Sequence, residues 1–170
     1  MKKGILALGC MAALVAFSSD AFAVNGTATA TIGTAISITQ DTSVGSGSTT
    51  GGDLAFGHII PNGGGSITIT PAGVITPTGI ISTTQLPKGP AYFKVTGDAG
   101  LHYTATLAST STTISDGTHT MNVTGLNSDS TGTLSGAGQE VFHVGGILTV
   151  AAGQAAGVYT GTFAITAAYN

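Results

Sequence analysis

Apolar residues recur at every second position along most of this chain, and no segment carries an apolar stripe of three helical turns. Between Ala28 and Ile38, for example, apolar side chains alternate with Thr and Ser, as a half-buried strand requires. Glycine-rich turns separate the short segments, and β-branched Thr supplies an uncharged outer face. The pattern predicts an all-β fold, an antiparallel β-sandwich of about seven to nine short strands.

Local signals refine this arrangement. Pro77 indicates an edge strand, because proline donates no hydrogen bond to a neighbouring strand. Residues 91–96 and 102–108 predict a hairpin around a glycine-containing turn, and the pair Gly145-Gly146 predicts a bulge in a long strand. Two Gly/Ser/Thr-rich stretches, 41–52 and 125–138, are predicted to be loops. The expected core residues are Phe56, Phe93, Tyr103, Leu107, Val123, Phe163 and Ile165.

The first 23 residues have the pattern of a secretory signal peptide. A basic start precedes an apolar run from Ile5 to Phe17, and an A-x-A cleavage site ends at Ala23. The run is short for an N-terminal membrane anchor. Lipoprotein processing at Cys10 is disfavoured because Ala7 stands where such a site requires Leu. We therefore expect export, cleavage after Ala23 and one β-sandwich domain over residues 24–170.

Composition excludes several classes of function for the chain from residue 24 onward. It has no cysteine, so it can form neither a disulfide nor a cysteine metal site. Its only cations are Lys88 and Lys94, which stand against six carboxylates and leave a formal net charge of −4. So few cations cannot form a basic patch, which excludes nucleic acid as a partner.

The sequence also lacks the motifs of catalysis. It contains no G-x-S-x-G, no H-E-x-x-H, no phosphate-binding glycine-rich loop and no D-x-D-x-D-G calcium pattern. Its histidines are far apart and show no metal-ligand spacing. We therefore expect no enzyme activity, no cofactor and no metal site. The four histidines are His58, His102, His119 and His143.

The C-terminal residues 156–170 resemble the last strand of bacterial pilin-like sandwiches, with Tyr159, Phe163, Ile165 and Tyr169 on one face. The segment Leu54-x-Phe56-Gly57 is similar to their second strand. Nearly the whole exported chain resembles a family of small secreted bacterial β-sandwiches that is catalogued as a domain of unknown function. The shared motifs are the Gly-x-Tyr-Thr-Gly-Thr-Phe ending, the Phe-Gly segment and the Val-Gly-Gly-x-Leu-Thr-Val strand at residues 144–150.

That family is related in pattern to chaperone–usher pilins and spore-coat-like subunits, which implies an immunoglobulin-like, pilin-like sandwich. In donor-strand assembly, the N-terminal extension of one subunit fills an apolar groove in the next by β-augmentation. Pilin extensions alternate apolar residues and place Gly at the second groove-facing position. The matching residues here directly follow the predicted cleavage site and are Val24, Gly26, Ala28, Ala30 and Ile32.

Two interpretations of this N-terminal segment stay open, because Ile36 and Ile38 continue the alternation as an ordinary first strand would. The absence of a disulfide is a departure from the best-known pilins. The first functional hypothesis is a non-catalytic subunit of an extracellular fibre or surface coat, which self-assembles with the help of a periplasmic chaperone. The alternative is a monomeric secreted binding module that contacts its ligand through loops 41–52 and 125–138.

Overall fold

The structure is a computed structural model of the chain and describes Gly33, residues 35–40 and residues 52–170. The described strands belong to one compact unit, Thr34–Asn170. Within these residues every element is a β-strand, all pairings are antiparallel and no helix is present. The all-β, sandwich-like fold class predicted from the alternating pattern is therefore confirmed. The predicted signal peptide and the residues Val24, Gly26, Ala28, Ala30 and Ile32 lie outside the described residues.

The described part of this unit contains eleven strands, which is more than the seven to nine predicted. The difference arises because two of them are only two residues long and carry little sequence pattern. The strands are β1 (Ser37–Gln40), β2 (Ile59–Ile60), β3 (Gly65–Ile69), β4 (Ile75–Thr78), β5 (Ile81–Ser82), β6 (Ala91–Thr96), β7 (Tyr103–Leu107), β8 (Thr112–Ser115), β9 (Thr120–Ser128), β10 (Gln139–Val150) and β11 (Ile165–Tyr169).

A seven-stranded sheet forms the larger layer and is organised around β10. Along one path the order is β1-β6-β10-β3-β4, and β9 also pairs with β10 while β8 pairs with β9. The predicted bulge is confirmed, since the register between β10 and β9 shifts between Gly145 and Ile147. A side chain at Gly145 would overlap the backbone of Ile69 and Pro71, which explains the glycine. Pro77 lies in β4, whose only strand partner within the described residues is β3, as expected for a sheet edge.

The second layer is the pair of strands β7 and β11. Tyr169 lies opposite Tyr103, Ala167 opposite Ala105 and Ile165 opposite Leu107, and these six side chains face the core. The intervening residues, mostly Thr, are exposed. The predicted hairpin between residues 91–96 and 102–108 is wrong, because β6 pairs with β1 and β10 whereas β7 pairs with β11. The turn after β6 carries the chain from one layer to the other.

The core lies between these two layers. Of the expected core residues, Tyr103 and Val123 are buried, whereas the other five are partly buried and pack against the buried cluster. Phe93 contacts two further rings, with centroids 5.8 Å from Phe142 and 5.9 Å from Phe163. The predicted loop 125–138 begins later than expected, because β9 continues to Ser128. The side chains most completely removed from solvent are Tyr103, Phe142, Ile67, Ile69, Leu134, Leu148, Val95, Val123 and Val144.

Lys88 and Lys94 are the only cations in the part of the chain that the structure describes. The Lys88 ammonium donates to Ser82 Oγ and to the Thr83 carbonyl oxygen, both at 2.8 Å, and so ties the end of β5 to the segment before β6. Lys94 lies within β6, which is flanked by β1 and β10. The side chains of both lysines are half-buried.

The buried hydroxyl of Tyr103 belongs to a small polar network. It donates to Glu140 Oε2 at 2.7 Å and lies 2.9 Å from Ser130 Oγ. The Thr131 backbone N–H and hydroxyl donate to the other carboxylate oxygen of Glu140. Burial, above all, raises the pKa of Tyr103 from 10.0 to about 12. The network holds the loop after β9 against β7 and β10.

We predict that Tyr103→Phe lowers the free energy of unfolding by about 1–3 kcal/mol, since it removes a hydrogen bond to a charged acceptor. Tyr92→Phe is the control, because the Tyr92 hydroxyl has no hydrogen-bond partner among the described residues, and we expect no measurable loss.

The raised pKa of Tyr103 favours the protonated phenol in the folded state. The stabilisation from Tyr103 should therefore be complete below pH 10 and disappear as the pH rises to about 12. Urea unfolding at several pH values measures both effects.

Candidate functional site

The C-terminal segment contains the predicted face of Tyr159, Phe163, Ile165 and Tyr169. The three last residues pack against the core as predicted. Only residues 165–169 form a regular strand, whereas the resemblance implied a last strand over residues 156–170. Tyr159 is half-buried, and its hydroxyl donates to the Ala155 carbonyl oxygen and accepts from Gln154 Nε2, both at 2.9 Å. It therefore fixes the bend that leads into the final segment.

Two glycines bring this segment close to β8. A Cβ at Gly161 would lie 2.5 Å from the Thr113 carbonyl oxygen, and a Cβ at Gly157 would lie 2.9 Å from Asp116 Oδ2. The backbone of Thr160 exchanges two hydrogen bonds with Ser115 between these contacts, at 2.8 and 2.9 Å. The Gly-x-Tyr-x-Gly spacing therefore allows the chain to pack on β8 while Tyr159 points inward.

We predict that Gly161→Ala destabilises the protein by about 1–3 kcal/mol, because the added methyl group must displace the backbone of β8. Gly136→Ala is the matched control, since a Cβ there meets nothing within 4 Å. Thermal unfolding of the two variants checks the difference. Equal stability of the two would contradict the close packing of residues 157–163 on β8.

An apolar groove lies between this segment and the large sheet. It has a volume of about 1050 Å³. Residues 53–61 form one wall and residues 154–163 form the other, while β6, β8, β9 and β10 form the floor. Most of its lining is apolar and includes Leu54, Phe56, Ile59, Phe93, Ile114, Met121, Leu148 and Phe163. Polar side chains also line it, among them Gln40, Asp53, His58, Gln154 and Tyr159.

Several contacts bound the groove. Phe93 contacts Phe163, with ring centroids 5.9 Å apart, and β1 lies beside β11. In the first wall Ala55 bridges to Gly89, and the short strands β2 and β5 pair with each other. Three of the lining residues are exposed and apolar: Ile60, Leu86 and Val158.

Beside the groove, the C-terminal segment has an open backbone edge. Ala108 N–H donates to the Ala164 carbonyl oxygen, and Asn170 N–H donates to the His102 carbonyl oxygen. The backbone N–H and C=O groups of the even-numbered residues from 164 to 170 therefore point toward β7. The backbone groups of Thr160 point toward β8 in the same way. The N–H and C=O groups of the odd-numbered residues point to the opposite side. Four of these residues make no backbone hydrogen bond on that side within the described residues, and we call them the open edge: Gly161, Phe163, Ile165 and Ala167.

The polar clusters outside the groove are small. His143 Nδ1 lies 2.8 Å from Asp129 Oδ2, and His119 Nδ1 lies 3.1 Å from Asp116 Oδ2. The backbone N–H groups of His119 and Thr118 hold the pKa of the Asp116 carboxyl well below its usual range. His58 and His102 each contact one Thr hydroxyl. Among the described residues no three His, Cys, Asp or Glu side chains come together as metal ligands, and no helix is long and apolar enough to cross a membrane.

Some residues of the groove could not be identified in the sequence. Tyr159 and Phe163 belong to the predicted C-terminal strand, and Phe56 was expected in the core. The residues Gln154, Ala155 and Ala156 carry no motif, yet they complete the second wall. The open edge also has no signal in the sequence, because it depends on which strands pair with β11.

These observations define the class of the protein: it is an all-β antiparallel domain with an open strand edge beside an apolar groove. The chain belongs to the family described as domain of unknown function DUF4402, whose family model matches residues 46–169. This confirms the resemblance to a family catalogued as a domain of unknown function. No curated protein and no solved structure matches the chain.

Proposed function

We propose that the protein is a non-catalytic structural subunit of an extracellular fibre or surface coat that assembles by donor-strand exchange. The supporting observation is the open edge beside the apolar groove. A strand edge with unpaired N–H and C=O groups accepts a further strand, whose backbone supplies the hydrogen bonds and whose alternate side chains fill the pockets below. The groove and the open edge offer both kinds of contact, and they meet at Gly161 and Phe163, which belong to both.

The donor in this proposal is the segment 24–32 of a second copy. Its alternate residues are Val24, Gly26, Ala28, Ala30 and Ile32, and none of its side chains is charged. Uncharged side chains enter an apolar groove at a smaller cost in solvation than charged ones, which would need a buried partner. Before assembly, a periplasmic chaperone would occupy the same groove, because an open edge invites irregular aggregation.

The near absence of charge supports the same proposal. Only 6% of residues are charged, and the outer faces of the strands are rich in Thr. Copies of such a protein repel each other weakly at close range. Threonine hydroxyls also keep these outer faces hydrogen-bonded to water when the subunits are free.

The second candidate is a monomeric binding module with an apolar ligand in the groove. The groove has a volume of about 1050 Å³, which favours this function because pockets for small molecules are of similar size. The stretch 41–52 and the loop after β9, residues 129–138, would then contribute to the specificity of that module.

Negative-stain microscopy of sheared cell-surface material, with mass spectrometry of the same fraction, tests the proposal. We expect fibres or coat fragments that contain this chain and that survive mild heating in detergent, because each contact would pair a whole strand. Recovery of the chain only as a monomer in the culture medium would contradict the fibre and favour the binding module.

A further inference from the structure

We infer that Pro77 prevents two copies of the chain from joining through β4. Within the described residues β4 pairs only with β3, and the side of β4 that faces away from β3 is here called the free edge. It is a different surface from the groove and its open edge. The inference does not depend on the donor segment and applies equally to fibre subunits and to a monomeric binding module. The partner that Pro77 excludes is the β4 strand of a second copy.

The backbone groups of β4 alternate in direction. Thr70 N–H donates to the Val74 carbonyl oxygen at 3.0 Å, in the turn that joins β3 to β4. In an antiparallel pair the same direction recurs at every second residue, so the even-numbered residues of β4 bond to β3. The backbone groups of Ile75 and Pro77 therefore point to the free edge.

Proline at position 77 removes the central donor from this edge. Its nitrogen carries no hydrogen, and its ring occupies the space in which a neighbouring strand would place a carbonyl oxygen. A twofold axis through position 77 would bring Pro77 opposite Pro77 of the second copy. Both hydrogen bonds at the centre of that pair are then missing. A strand of only four residues has few others to replace them.

Packing in the core does not explain this proline. Pro77 lies opposite Ile67, which is completely buried, but the Pro77 side chain itself is exposed. Thr or Val, which favour strands, would occupy such a position without loss of core contacts. The proline therefore interrupts the donors of the strand and adds little to the core.

Charge offers no protection at this edge. Sheet edges are commonly protected by Lys or other charged side chains, which disfavour a second strand. No Asp, Glu, Lys or Arg lies between Asp53 and Lys88, a stretch that includes β2 to β5. The residues around β4 are instead uncharged and largely β-branched, a composition that promotes strand pairing between chains. Pro77 interrupts this stretch at a position where it breaks no hydrogen bond to β3.

Pro77→Thr tests the inference, because it restores the N–H with a polar, β-branched side chain. Pro71→Thr is the first control and makes the same change in the turn between β3 and β4. Pro77→Lys is the second control, since it restores the same N–H but places like charges opposite each other in the paired edges. Size-exclusion chromatography with light scattering measures the mass, and amide hydrogen exchange of residues 75–79 reports on the edge itself.

We expect Pro77→Thr to strengthen association through β4 by about five- to 150-fold, because two backbone hydrogen bonds are restored at the centre of the pair. The Ile75 amide should exchange slowly in this variant, and rapidly in the wild type and in both controls. If the wild type forms fibres, fibres of the variant should lie side by side in electron micrographs. Unchanged mass together with rapid exchange of the Ile75 amide in Pro77→Thr would overturn the inference. That result would leave donor-strand assembly untouched, because the groove is a different surface.

Discussion

Replacing Gly26 by Val in the full chain is expected to weaken the association of subunits by about five- to 150-fold and so to lower the yield of polymer. In the proposed complex Gly26 faces the groove of the acceptor, and any side chain there must push into its floor. Overpacking of this kind costs about 1–3 kcal/mol, and 1.4 kcal/mol corresponds to a factor of ten in an equilibrium constant. Size-exclusion chromatography of the secreted protein, with detergent-resistant bands on a gel as a second readout, measures the polymer.

Thr27→Val is the matched control, because it introduces the same side chain at a neighbouring position that faces away from the groove in the proposed complex. It should polymerise like the wild type. Deletion of residues 24–32 should abolish assembly and leave the thermal unfolding of the subunit unchanged. If the deletion instead unfolds a protein that is monomeric from the start, this segment is the first strand of its own sandwich, and the binding module becomes the better interpretation.

Phe142→Ala is expected to cause the largest loss of stability, about 3–5 kcal/mol. Phe142 lies in β10, which pairs with three other strands, and its ring is stacked on that of Phe93 between the two layers. Removal of the ring leaves a cavity that neighbouring strands cannot fill without breaking their pairing. A loss of this size is a large part of the total stability of an ordinary domain, so the variant should be partly unfolded at 37 °C.

Val141→Ala provides the comparison within the same strand. Val141 precedes Phe142 but lies on the outer face of the sheet and is 44% exposed, so its truncation should cost less than about 0.5 kcal/mol. Chemical denaturation of the two variants measures both values. A similar loss for both substitutions would contradict the assignment of the two faces of β10.

The alternation of apolar and polar residues was sufficient to predict the all-β class, since a period of two defines a strand locally. It also located the bulge at Gly145 and the edge strand at Pro77, because both depend on the properties of single residues. The sequence was a poorer guide to which strands pair with each other. The turn at 97–100 has the composition of a hairpin turn, yet a side chain at Gly97 would overlap the Tyr169 hydroxyl, so this turn is shaped by a contact with the last strand.

The candidate site was likewise predictable from the sequence only in part. The spacing of Gly157, Tyr159 and Gly161 was visible in the sequence, but its reason is the approach to β8. The open edge depends on the choice of β7 as the partner of β11, and residues 103–107 and 165–169 are far apart in the chain. Pairings over such distances are decided by the packing of the whole core, which no local pattern encodes.

The positions of the two lysines have a consequence for the resistance of the protein to proteases. Trypsin-like proteases cut after Lys or Arg, and the described chain offers them only the bonds after Lys88 and Lys94. The Lys88 side chain is held by two hydrogen bonds, and Lys94 lies inside a sheet between two partner strands. A protease needs several residues of extended, accessible chain, so the bond after Lys94 becomes cleavable only when β6 leaves the sheet. The bond after Lys88 requires that the side-chain hydrogen bonds of Lys88 and the bridge between Gly89 and Ala55 open. Digestion by trypsin would then proceed through opened states, and the folded subunit would persist in the presence of trypsin.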